Sequence, residues 1–78
     1  MRVLLFAGLA ELAGRRDVLL SVPGSPLTVG ALVAQVSAAV PALSGRTYRV
    51  AVNRRYAQPA DTVRPGDEVA LIPPVSGG

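Results

Sequence analysis

The sequence contains no cysteine, no histidine and no lysine among its 78 residues. Without cysteine no disulfide can hold the fold, and the redox compartment leaves no mark. Without histidine the usual zinc ligand sets, the haem axial ligands and the Ser-His and Cys-His nucleophile pairs are missing. The absence of lysine removes the phosphate-binding lysine of a Walker loop and any Schiff-base chemistry. It also leaves no side-chain amine to receive an acyl group, although the chain can still donate one from its own C-terminus. Classical catalysis is excluded by inventory, and neither a metal nor a bound cofactor is expected.

Aromatic residues are scarce as well: Phe6, Tyr48 and Tyr56. A nucleic-acid reader interleaves aromatics with a basic stripe. The eight basic residues here are all arginine (Arg2, Arg15, Arg16, Arg46, Arg49, Arg54, Arg55 and Arg64), scattered as singles and pairs. The net charge of +3 therefore reads as solvated loop charge, and no nucleic-acid partner is expected. Long apolar runs are absent too. The opening "MRVLLFAGLA" reaches only to Glu11, too short to span a membrane and a poor signal peptide, so it reads as a buried first strand. The expectation is a soluble, cytoplasmic protein with no membrane partner.

What is present suits one small domain: half of the residues are apolar, too many for a disordered chain. Residues 2–7 read as a strand covered on both faces. "GLAELAG" reads as a brief helical turn closed by Gly14. Residues 17–22 form a second strand between Arg15-Arg16 and Pro23-Gly24. The clearest helix is "TVGALVAQVSAAVP", with Thr28 as N-cap. Val29, Leu32, Val33, Val36 and Val40 make its apolar stripe, and Pro41 ends it. "YRVAVN" is a strand turning at Asn53, Tyr56 starts a short edge strand, and Pro59 bars that strand from the sheet centre. After a turn at Pro65-Gly66 a last strand covers residues 68–72. The economical architecture is α+β: a β-grasp whose mixed sheet of four to five strands packs on one main helix. The domain is assigned to residues 1–73 and a flexible, extended tail ending in Gly-Gly to residues 74–78.

The carboxylates make no acid–base pair. Asp67 and Glu68 are successive strand-side residues that point to opposite faces, and Asp17 and Asp61 read as strand-start and loop residues. The tail carries the chemistry instead. Pro73-Pro74 biases the arm toward an extended form, lowering the entropy lost on entering a partner. The residues from Pro74 to Gly78 span roughly 17 Å when extended, and Gly77 and Gly78, lacking Cβ, pass a channel too narrow for side chains. Such an arm suits delivery of a carboxylate into another protein's active site. Adenylation by an ATP-using partner makes that carboxylate an electrophile, a sulfur nucleophile displaces AMP, and the resulting thiocarboxylate is a sulfur donor.

On "VLLFAGLAELAG", "VAVN" and above all "GDEVALIPPVSGG", the whole chain resembles the small, sulfur-carrier subunit of molybdopterin synthase (MoaD type), in the ubiquitin-like β-grasp superfamily. The resemblance implies that Gly78 is adenylated by an E1-like enzyme and converted to the thiocarboxylate. It further implies that Pro74, Val75, Ser76 and Gly77 thread the active site of a large catalytic subunit, within a heterotetramer. There the sulfur passes to cyclic pyranopterin monophosphate to build the dithiolene. Phe6, Ile72 and Pro73 match the positions that contact these partners, Phe6 and Ile72 being neighbours across the first and last strands. Two other readings stand beside it: a ubiquitin-like modifier or carrier for thiamine or tRNA thiolation, and a plain β-grasp binding module.

Overall fold

The computed structural model describes residues 1–20 and 26–74. Strand β1 spans Arg2–Leu5, helix α1 Ala7–Ala13 and strand β2 Asp17–Leu19. Strand β3 (Leu27–Thr28) leads into helix α2 (Val29–Ala39), which a short 3-10 turn follows at Pro41–Leu43. Strands β4 (Arg49–Val52), β5 (Arg55–Ala57), β6 (Thr62–Val63) and β7 (Val69–Ile72) complete the order. The main sheet runs β2-β1-β7-β4-β5, and β3 pairs with β6 in a separate two-stranded ribbon. β1 and β7 are parallel, with Val3 opposite Val69, and the other pairs are antiparallel. A mixed five-stranded sheet carrying one main helix is the β-grasp that the order of elements predicted.

Period-2 alternation sets the two sheet faces. Val3, Leu5, Val18, Val50, Val69 and Leu71 are buried on the inner face with Val29, Leu32 and Val36 of α2 and with Val40 at its C-cap. Leu32, Val36 and Leu71 are fully enclosed. At the start of α2 three otherwise unpaired N–H groups find acceptors: Val29 on the Asp61 carbonyl, Gly30 on that of Pro59 and Ala31 on the Thr28 hydroxyl. Such partners remove the desolvation cost of a bare helix end. α1 closes at Gly14, whose φ of 72° is the left-handed C-cap conformation.

Several details differ from expectation. β1 is interior to the sheet but not covered on both faces, because α2 packs on one side only and Leu4 stays half-exposed. The sheet centre belongs to β7. In α1 Leu9 is buried while Leu12 is exposed; a helix this short buries a single residue fully. The β3–β6 ribbon was absent from the reading, since two-residue strands carry no periodicity. The second strand is shorter than expected, Asp17–Leu19, and residues 21 and 22 of that expectation lie outside the described residues.

Candidate functional site

The face of the sheet away from α2 is uncovered, and it is concave. Ala51 and Ala70, both on strands in the middle of the sheet, form a floor of small side chains. Leu4, Phe6, Ile72 and Tyr56 stand around them, with Arg54 and Glu68 at one side, enclosing about 550 Å³. The shape follows from sequence order: alternate residues of β1, β4 and β7 point outward, and the central ones are alanines.

Phe6 sits where β1 turns into α1, in extended conformation. Its N–H donates to the Leu71 carbonyl at 3.3 Å, which ties it to the last strand, and its side chain is 47% exposed. Ala7, which follows, has a φ of 49°, so the chain bends sharply and leaves the ring outside the core. Ile72, half-buried, ends β7 on the same concavity. The structure thus brings Phe6 and Ile72 together on an open face. Pro73 is elsewhere: it lines a second recess with Gly8, Leu9, Glu11, Leu12, Arg46 and Thr47. Pro74 is exposed. Val75, Ser76, Gly77 and Gly78 lie outside the described residues.

Sequence reasoning missed Leu4, Ala51, Ala70 and Tyr56 as members of this surface. The signal was available in the i, i+2 spacing of Leu4 with Phe6 and of Ala70 with Ile72, but assigning two covered faces to β1 hid it. Tyr56 is 57% exposed, and the Arg49 guanidinium lies 3.8 Å from its ring centroid. That stacking pairs residues from adjacent strands on the outer face, diagonal to the Ala51–Tyr56 register.

Below the concavity the turns are locked together. Asn53 and Arg54 both have positive φ, 53° and 69°, the two-residue geometry that suits a tight hairpin. The Asn53 N–H donates to the Glu68 carbonyl at 2.7 Å, and the Glu68 N–H donates back to Asn53 Oδ1 at 3.0 Å. Asp67 Oδ2 accepts from the Arg64 N–H and Oδ1 from Asn53 Nδ2. These bonds, that from Arg64 foremost, hold the Asp67 carboxyl below its ordinary pKa. Arg54 approaches Glu68 at 3.5 Å.

The concavity that the described residues form is apolar, with the Arg54–Glu68 ion pair at its side. No cluster of His, Cys, Asp or Glu able to hold a metal occurs among the described residues. The Tyr48 phenol is pushed upward by burial, partly offset by its hydrogen bond with Ser37; a raised phenol is neutral at physiological pH. No helix of the described residues is long and apolar enough to cross a membrane.

Comparison with known proteins gives a consistent picture. A model of the ThiS family matches residues 3–78. The molybdopterin synthase sulfur carrier subunit of Chlamydomonas reinhardtii is 40% identical over 82 residues, covering 100% of this chain and 98% of that protein. Small archaeal modifier protein 1 of Haloferax volcanii is also 40% identical, over 95% of each chain. The crystal structure of SAMP1 from Haloferax volcanii superposes with a TM-score of 0.85 at 38% identity, covering 99% of this chain and 97% of the other.

Proposed function

The chain belongs to the ThiS family, and on that premise we propose that it is the sulfur-carrier subunit of a molybdopterin synthase. The single observation that carries the reading is the apolar concavity built by Phe6 and Ile72 at the end of β7. From that strand the chain continues into Pro73-Pro74 and the diglycine, so a partner seated on the concavity holds the body at the root of the arm. Likeness to the Chlamydomonas carrier over the full length supports the choice of synthase.

In this reading a Gly78 carboxylate oxygen attacks the α-phosphorus of ATP on an E1-like enzyme, and pyrophosphate leaves. A sulfur nucleophile at the sulfide level adds to the acyl carbon, and AMP departs with the electron pair. The thiocarboxylate arm, Pro74 to Gly78, then enters the large catalytic subunit. Its sulfur attacks a carbon of cyclic pyranopterin monophosphate and displaces an oxygen substituent from it, water at the acyl carbon releases the carrier as its carboxylate, and a second thiocarboxylated carrier supplies the other sulfur of the dithiolene. The carrier supplies position and an acyl carbon and is no enzyme alone; ATP belongs to the activating partner. Phe6, Ile72 and Pro73 are the body's contacts, the heterotetramer is the working assembly and the cytoplasm its place. Having no lysine, the carrier offers no side-chain amine on which an activated copy could be lost.

The test is intact mass after incubation with ATP, an E1-like enzyme and a sulfur source. One terminal oxygen should be exchanged for sulfur, and the product should sustain molybdopterin synthesis with the large subunit. Activity surviving deletion of Gly78 overturns the reading. The likeness to the archaeal modifier favours a second use of the same activated glycine, attachment to lysines of other proteins. Conjugates on target lysines, with no molybdopterin formed, would select it.

A further inference from the structure

The sequence holds five carboxylate side chains, and the structure describes all five. Asp17 pairs with Arg2 at 2.7 Å, and Glu68 faces Arg54. Asp67 accepts from the Arg64 N–H, and Asp61 accepts from the Gln58 N–H at 2.7 Å. Glu11 lies on α1, at the second recess. None faces Arg49. Among the described residues, Arg49 is therefore a cation without a carboxylate, and it sits directly opposite Ile72 in the β4–β7 register.

We propose that Arg49, stacked on Tyr56, is the specificity contact by which the outer sheet face reads an Asp or Glu carboxylate of the protein that docks on it. The occupant is the adenylating enzyme, because both the carrier and the modifier reading require one; the proposal rests on that shared requirement. Charge complementarity decides the chemistry. A partner that covers Ile72 and Tyr56 with apolar surface alone would strip water from an unpaired guanidinium, which is unfavourable unless an anion replaces that water.

The stacking also sets the geometry. The Arg49 guanidinium carbon lies 3.8 Å from the Tyr56 ring centroid, and a guanidinium in contact with a ring face still offers a planar fork of N–H donors to a bidentate carboxylate. The ring holds the fork in place before binding, so less side-chain entropy is lost on docking. Tyrosine and arginine side by side, next to an apolar floor, form the composition in which interface energy concentrates. Lysine would keep the charge and lose both the planar stack and the fork.

The experiment measures the dissociation constant of the full chain for its adenylating enzyme at low and physiological salt, with the thermal midpoint of every variant. Arg49→Gln should weaken binding about tenfold or more, and Arg49→Glu further. Arg49→Lys should recover only part of the loss, and Tyr56→Leu should weaken binding while keeping an apolar wall. The salt dependence seen for the wild type should flatten in Arg49→Gln. Because Arg49 is exposed, midpoints should stay near the wild-type value; were Arg49→Glu to unfold, Arg49→Gln carries the same reading. Arg49→Gln and Arg49→Glu binding within twofold of the wild type, with unchanged salt dependence, overturns the proposal. If the wild type still gains sulfur at Gly78 in that case, only the carboxylate contact falls. If the wild type neither binds an adenylating enzyme nor gains sulfur, the carrier reading falls with it.

Discussion

Truncating Phe6 to alanine should separate docking from folding in a way that can be scaled from the structure. Fully burying a phenylalanine side chain contributes roughly 1.5–3 kcal/mol. In the free chain the Phe6 side chain is 47% exposed, so docking can recover about half of that, roughly 0.7–1.4 kcal/mol. The expected weakening of partner binding is therefore about threefold to tenfold. The other half is already realised in the isolated chain, and its loss should lower stability by a similar amount. For a domain of this size that is a drop in thermal midpoint of about 3–11 °C. The assay is calorimetric titration of Phe6→Ala against the large subunit, paired with a melting curve of the same sample. Unchanged affinity would show that the concavity faces solvent in the complex. Complete unfolding would show that Phe6 carries core packing that its exposure does not reveal.

Other outcomes follow from local geometry. Gly14 has a φ of 72° with nothing within 4 Å of an added Cβ, whereas Gly8, equally free of neighbours, lies in α1 without a positive φ. Gly14→Ala should therefore destabilise by about 1–2 kcal/mol through backbone strain alone, and Gly8→Ala should stabilise by about 0.5–1 kcal/mol, both read from urea midpoints. Leu32 is fully enclosed, so Leu32→Ala should cost about 2–5 kcal/mol with no change in the contacts of the outer face. The folded pKa of Asp67 lies below its ordinary value, so its contribution is complete above that value and is lost as pH falls below about 4. Asp67→Asn should make the acid side of the midpoint-versus-pH curve shallower, and an unchanged curve would refute the role given to the Arg64 and Asn53 bonds.

Much of the architecture was open to reading because it depends on local rules. Thr28 caps α2 through the chemistry of its hydroxyl, and Val29, Leu32, Val36 and Val40 bury together because 3.6-residue periodicity places them on one side. Asn53 turns the chain because it tolerates positive φ, and Tyr56 lies on an edge strand that Pro59 cannot extend into the sheet centre. The inventory of absent residues and the run "PPVSGG" are properties of the chain itself and need no tertiary structure to be read.

The proposed docking face is another matter. Alternation tells which residues share a face, but only the placement of a single helix decides which face stays bare. One helix cannot cover both sides of a five-stranded sheet, so Leu4 and Tyr56 meet solvent although nothing in their neighbours announces it. The meeting of Phe6 with Ile72, and of Arg49 with Tyr56, depends on strand register across residues far apart in the chain or separated by a turn. The separation of Pro73 from that concavity is likewise a matter of where β7 ends against α1. Sequence by itself determined the main helix and most of the main-sheet strands and singled out the diglycine end for the proposal; non-local hydrogen bonding, which no local propensity encodes, decided which surface stays open beside it.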